Sequence, residues 1–268
     1  MENNSPLRTI TDLGLRRPEL NIALEEAIAR NVSSGLAPPT LRFWRNGNAA
    51  ILGRSQTAEV ELELSRCRDL GVPVIRRPSG GGTVLHHPKN LNYSLYLPES
   101  GSGTVREETI RLSRPVAEVL EEAGFTTRVK TNGFFVKEGK VGGTAQTRRW
   151  GLLHHGTLLM DNSGIMDSME VLLRAGKENY EQLNPKLPSR PSKVVNLREL
   201  LGGTVGLEEL VEGLYEEFAK RLDLTPISGG ISEREWKYAK RLMEEKYSSR
   251  VWTFRFADEG VKELGRTE

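Results

Sequence analysis

The sequence predicts an α+β fold, a mixed or antiparallel central sheet flanked by helices, and three observations lead there. Strand-like stretches gather in the middle of the chain, helical periodicity marks both flanks, and no internal repeat or low-complexity segment interrupts them. A helix is expected over residues 21–32, where Ile22, Leu24, Ala27 and Ile28 recur among charged residues and Pro18 stands near the start. Residues 40–53 read as two short strands turned at Asn46-Gly47-Asn48. A second helix over 59–70 carries Cys67, and a strand over 73–76 delivers the chain into a glycine-rich loop. Residues 91–97 alternate polar and apolar positions, as a half-buried strand does. Ile110, Leu112, Val116, Val119 and Leu120 place a long helix over 106–123. Strands follow over 126–130, 133–137 and 152–160, with a tight turn at Lys137-Glu138-Gly139-Lys140. Further helices are read over 166–174, 207–222 and 233–247, and the Pro-, Ser- and Lys-rich stretch 183–198 is read as an extended connection.

At 268 residues the chain is long enough to bury a core without a metal or disulfide staple. The formal net charge of +2 offers no global electrostatic case for a nucleic-acid partner. Cys67 is the only cysteine, which rules out an internal disulfide and a cysteine-based zinc site. No apolar run reaches the roughly 20 residues that span a bilayer, so no membrane role is expected. The first nine residues are polar, unlike a signal peptide, and the cytoplasm is the expected compartment.

Two segments carry the chemistry. One is Arg76-Arg77-Pro78-Ser79-Gly80-Gly81-Gly82-Thr83-Val84-Leu85-His86-His87, where three glycines let backbone N–H groups approach anionic oxygens. The other is Gly139-Lys140-Val141-Gly142-Gly143-Thr144-Ala145-Gln146, followed by Leu153-His154-His155-Gly156-Thr157-Leu158-Leu159. The glycine loop is neither a Walker loop nor a dinucleotide fingerprint, since no Gly-Lys-Ser/Thr follows and no helix opens after it. Two arginines beside the loop and a glycine-framed lysine suit a ligand with dispersed negative charge, such as an acyl adenylate. Paired histidines at strand spacing point to opposite faces, so at most one of each pair enters a site. Nothing at helical i, i+4 spacing supports a zinc site among the four histidines, and any metal stays unassigned.

Together these segments resemble the lipoate-protein ligase A family, with its octanoyltransferase relatives and the biotin protein ligases that share the catalytic domain. The Arg-Arg-x-Ser-Gly-Gly-Gly-x-Val-x-His run, the Lys-Val-x-Gly-x-Ala turn and the Leu-His-His-Gly-Thr-Leu-Leu strand occur in the family's order. The resemblance extends through Lys193-Val194-Val195-Asn196-Leu197. It implies a biotin/lipoate-ligase-like catalytic domain that uses ATP and Mg2+ to activate lipoate or octanoate as the acyl-AMP. The acyl group would then pass to a lysine of a lipoyl carrier domain, either an E2 subunit or a glycine-cleavage H-like protein. Lys140 would be the catalytic cation, bridging the acyl carbonyl and the phosphate. Arg77, Ser79, Gly80, Gly81 and Gly82 would hold the adenylate, with Thr83, Val84, Leu85 and His86 beyond them. Asn132, Gly142 and His155 would complete the site, with Trp44 touching the lipoyl tail.

Two positions depart from the pattern: Asn132 is followed by Gly133 where ligases usually carry Asp, and His86 by His87 where Asp is common. Gly133 keeps open an octanoyl or lipoyl transferase that moves acyl groups between carriers without ATP. Its thiol form would need a nucleophile where Cys67 does not stand; a thiol-free form would use Lys140 as general acid and base. A non-catalytic lipoate-binding module is the third alternative. Lys140, Arg148 and Arg149 form a basic cluster on one segment that would steer an acidic carrier. Residues 1–222 are expected to form the catalytic domain and 223–268 a helical extension, without the large accessory domain of single-chain ligases. A separately encoded accessory subunit is therefore expected. Trp252, Phe254 and Phe256 suit either a docking strand or packing on the parent core.

Overall fold

The computed structural model describes residues 5–99, 101–161, 170–200, 202 and 206–256. The chain opens with a strand, β1 (Pro6–Arg16), that sequence periodicity does not announce. Leu7 and Ile10 are its only buried apolar residues, too sparse a pattern to read as alternation. Helix α1 (Pro18–Ser33) starts on Pro18, whose missing N–H is not needed in the first turn. It is buried nearly all round, Asn21, Glu25 and Glu26 included, as befits a helix sandwiched between layers.

Strands β2 (Thr40–Asn46) and β3 (Ala49–Leu52) form as expected. The single helix expected over 59–70 divides into α2 (Ala58–Glu61) and α3 (Leu64–Asp69). Leu62 between them is extended and bridges Leu173, so tertiary pairing overrides helical propensity there. Next come β4 (Val74–Arg76), β5 (Val84–His86), β6 (Leu91–Leu97) and helix α4 (Val105–Glu122). Helix α4 begins with a reciprocal Thr104–Glu107 capping box.

Strands β7 (Thr127–Lys130), β8 (Gly133–Val136), β9 (Gly139–Thr147) and β10 (Leu152–Leu158) form a meander. The expected turn at 137–140 is confined to Lys137 and Glu138, and Lys140 is the second residue of the nine-residue β9. Most of the helix expected over 166–174 lies outside the described residues. Helices α5 (Leu197–Leu200) and α6 (Leu207–Leu222) lead to β11 (Thr225–Ser228), another strand without sequence signature because all four residues are exposed. Helix α7 (Glu233–Leu242) runs into a π-helical turn, Met243–Tyr247, and a last turn, α8 (Arg250–Thr253). The tail is thus no docking strand: Trp252 is helical and packs edge-on to Tyr247, while Phe254 and Phe256 follow in turns and Phe256 is exposed.

The main sheet has eight strands in the order β11-β1-β2-β6-β10-β9-β8-β7. β1 runs parallel to both its neighbours and the other pairs are antiparallel, so the sheet is mixed. A second sheet, β4-β3-β5, stands apart. Helices α4 and α6 cover one face of the main sheet through Leu112, Val116, Leu214 and Phe218, packed on Phe43, Tyr93 and Leu95. On the other face, α1 packs with Trp44, the small sheet (Ile51, Ile75) and α7. Consecutive residues Phe43 and Trp44 enter these two different clusters, as the strand pleat requires.

Candidate active site

Between the main sheet, the small sheet and the 174–194 segment lies a cavity of about 1310 Å³. The two motif segments face each other across it. From the first come Arg77, Gly80, Gly81, Gly82, Thr83, Val84, Leu85 and His86; from the second, Asn132, Lys140, Gly142 and His155. Trp44 closes the inner end, its indole N–H donating to Ser94 Oγ (2.9 Å). Among the predicted site residues, Ser79 alone does not line the cavity.

Lys140 is the site's distinctive group. No carboxylate pairs with its ammonium among the described residues, and burial, followed by the charge of Arg77, lowers its pKa to about 8. Gly143 borders the ammonium: a Cβ there would be in ordinary contact with Lys140 Nζ, at 3.7 Å. An unpaired cation held in a cleft marks a place where an anion binds or a proton moves.

The two arginines do not serve as free anion ligands. Arg76 is fully buried, its guanidinium donating to the carbonyls of Gly53 (2.9 Å), Gln56 (2.6 Å) and Thr253 (2.9 Å). Arg77 buckles the glycine loop. Its Nε donates to Ser79 Oγ (3.0 Å), and its two terminal nitrogens donate to the carbonyls of Ile51 (3.0 Å), Gly80 and Gly82 (2.8 Å). Arg77 lines the cavity while most of its donors hold the loop. Burial lowers both guanidinium pKa values to about 10. Likewise the Thr83 N–H is not offered to a ligand, since it donates to Ser189 Oγ (3.0 Å).

The histidine pairs split across the pleat. His155 faces the cavity, with Nδ1 2.6 Å from Glu25 Oε1 and Nε2 2.6 Å from Ser79 Oγ, while His154 turns to Tyr93 on the opposite face. Serine, imidazole and carboxylate here follow the order of a nucleophilic relay. Ser79, however, is fully buried and accepts from Arg77, so it braces the imidazole and cannot attack a ligand. His86 is locked between Asn46 (2.9 Å) and Thr157 (2.9 Å), and burial, then the charge of Arg77, lowers its pKa to about 3, leaving it neutral. His87 accepts from the Lys89 N–H (3.1 Å) and does not line the cavity.

The basic cluster expected from Lys140, Arg148 and Arg149 does not form. β9 runs extended from Lys140 to Thr147 and so separates Lys140 from Arg148, which pairs with Glu108 (3.0 Å), while Arg149 lies over Trp150 (5.6 Å). Sequence reading missed Glu25 and Ser189. Glu25 sits inside an apolar helical run and Ser189 in a connection without periodicity, so neither has a local signal.

A mixed sheet carrying a half-open cavity, a glycine loop held by Arg77 and a lysine without a carboxylate partner among the described residues suits an acyl-handling enzyme of the ligase and transferase class. The match to the lipoyl protein ligase A/B catalytic domain model covers residues 17–219, and the chain belongs to that family. Octanoyltransferase LipM of Geobacillus kaustophilus is 31% identical over 274 residues, covering 91% of this chain and 96% of its own. Lipoate-protein ligase LplJ of Bacillus subtilis is 26% identical over 248 residues, covering 91% of this chain and 72% of its own. Among solved structures, a T. acidophilum protein described as a lipoate protein ligase, with bound lipoic acid, superposes with a TM-score of 0.76 at 25% identity. That superposition covers 94% of this chain and 99% of the other.

Proposed function

We propose that this chain is an ATP-dependent lipoate-protein ligase, or the catalytic subunit of one. The lipoate carboxylate attacks the α-phosphorus of ATP and pyrophosphate leaves. A carrier lysine, as its free amine, then attacks the acyl carbonyl, AMP leaves and an amide forms. Lys140 faces the charge that develops between carboxylate and phosphate, and the glycine loop admits the phosphate closely. Among the described residues no three His, Cys, Asp or Glu side chains come together as a metal site. In this reading Mg2+ would arrive with the triphosphate and would offset its charge.

The observation that carries the reading is Lys140, whose ammonium lines the cavity with the glycine loop and has no carboxylate partner among the described residues. The position of the sole cysteine weighs against the thiol form of the rival transferase. Cys67 packs among Leu52, Val72 and Leu85 and does not line the cavity, and burial, then the charge of Glu63, raises its thiol pKa. A thioester-forming transferase needs an accessible thiolate at the reacting carbonyl, and none is in the cavity. The second reading, acyl transfer between carriers without ATP, draws support from the 31% identity to an octanoyltransferase. A lysine titrating at about 8 also suits proton exchange.

Lipoate-dependent ATP–pyrophosphate exchange separates the two. The ligase reading expects lipoate-dependent exchange, from the chain alone or once the accessory subunit is added, unchanged in Cys67→Ala. Octanoyl transfer between carriers without ATP, together with no exchange, would overturn it.

A further inference from the structure

We propose that Glu61 is a positioning residue: through Ser189 it latches the 174–194 strap onto the glycine loop and so sets the roof of the cavity. The proposal rests on the ligase reading only in taking ATP as the ligand that the roof encloses.

Glu61 lies on α2, is 1% exposed and does not line the cavity, yet both its carboxylate oxygens are engaged by the strap. Tyr180 OH donates to Oε1 (2.8 Å) and Ser189 OH to Oε2 (2.5 Å). Tyr180 OH in turn accepts the Ser189 N–H (2.8 Å). With its one proton given to Glu61, Ser189 Oγ accepts from the Thr83 N–H (3.0 Å) and from Gln56 Nε2 (3.0 Å). Gln56 Oε1 completes the ring, accepting from Thr83 Oγ (3.0 Å) and the Gly53 N–H (2.9 Å). Every hydrogen-bonding capacity of the Ser189 hydroxyl is used, so its orientation is fixed by Glu61. The fit over the loop is close: a Cβ at Gly82 would lie 3.1 Å from Ser189 Oγ. A carboxylate under this serine also keeps an incoming phosphate from replacing it, which directs the anion toward Gly80, Gly81 and Lys140.

Four residues further on, the same strap reaches Lys140. The Lys140 N–H donates to the Lys193 carbonyl (2.7 Å) and the Val195 N–H to the Lys140 carbonyl (3.0 Å). The strap therefore spans the two motif segments with one anchor on each. Cutting the Glu61 anchor loosens the roof over the glycine loop and leaves Lys140 seated, so capture of the nucleotide should suffer more than the chemical step.

The test is ATP–pyrophosphate exchange with lipoate in Glu61→Ala, Glu61→Gln, Ser189→Ala and the Glu61→Ala/Ser189→Ala double variant. The latch expects the ATP KM to rise on the order of tenfold in Glu61→Ala and Ser189→Ala, with kcat within about twofold. Glu61→Gln, whose amide carbonyl still accepts from Ser189 while its NH2 meets the Tyr180 hydroxyl, should raise the ATP KM less than Glu61→Ala, and the double variant should be no worse than either single. An unchanged ATP KM in Ser189→Ala, or a parallel loss of kcat that tracks a lowered melting temperature, overturns the proposal. If Glu61→Ala does not fold, Ser189→Ala decides alone. If the wild type shows no exchange, the ligase reading fails while the latch is still judged. The same variants are then assayed for octanoyl transfer between carriers, where an unchanged KM for the acyl donor in Ser189→Ala overturns the latch.

Discussion

Lys140 shows how one residue records function against stability. Its ammonium sits in the cavity without a counter-ion, and its pKa falls from the ordinary 10.5 to about 8. If the ammonium is the form that stabilises the reacting anions, exchange holds below about pH 8 and declines as pH rises through it. A pH profile of kcat/KM checks this, and a limb near the ordinary lysine value would contradict it. The sign for folding is opposite. Above about pH 8 the unfolded chain binds the proton more tightly than the folded one, so this group's contribution to stability rises with pH up to about 10.5. Lys140→Met should therefore melt no lower than wild type at pH 7, while exchange falls by about 2.7–4 kcal/mol in transition-state terms, the usual cost of one such contact. Calorimetry and exchange on the same preparation give both values.

At the scale of elements, two glycines explain what the motifs require. Gly133, where ligases usually carry Asp, has φ +140°, and a Cβ there would lie 2.0 Å from the Gly142 carbonyl oxygen. The β8–β9 ladder shifts register between Phe134 and Phe135, and this close approach belongs to that irregularity. Gly133→Asp is expected to lower stability by about 1–3 kcal/mol and to leave exchange no higher, as thermal melting and the assay would show. Gly81, at φ +86°, would set a Cβ 3.1 Å from Arg77 Nη2, so Gly81→Val should weaken ATP binding at least tenfold in a titration. The apolar periodicity of α1, α4 and α6 made these helices legible, with α6 bounded as expected at Leu207–Leu222. β1 and β11 were not, because β1 buries too few apolar residues and β11 none. In the site, the glycines and Lys140 could be read from composition and order. The roles of Arg76, Arg77 and Thr83 could not, because they depend on carbonyls and a serine brought in from distant segments.

Across the whole molecule, residues 223–256 are built into the fold. β11 pairs with β1, and α7 is tied to β1 by a buried ion pair, Arg8–Glu235 (2.6 Å). Burial alone pushes the Glu235 carboxyl up, but hydrogen bonds from Arg8 and Ser232 outweigh it and hold the pKa below the usual 4.5. The stability that this pair contributes is complete above the unfolded value and is lost as pH falls through the lowered one, so Glu235→Gln should flatten the acid limb of a melting-temperature profile. Arg76 clamps the far end of the same segment, and Arg76→Met, which strands the carbonyls of Gly53, Gln56 and Thr253, should cost about 3 kcal/mol in denaturant unfolding. The pleat of the main sheet has one more consequence. Phe43 and His154 face the α4–α6 layer while Trp44 and His155 face the cavity, so the sheet is a partition with separate tenants on its two sides. Sequence drift in the α4–α6 layer can then retune how the molecule withstands heat without disturbing which acyl group it accepts. The α1 side is free to change its substrate while the other layer carries the burden of folding.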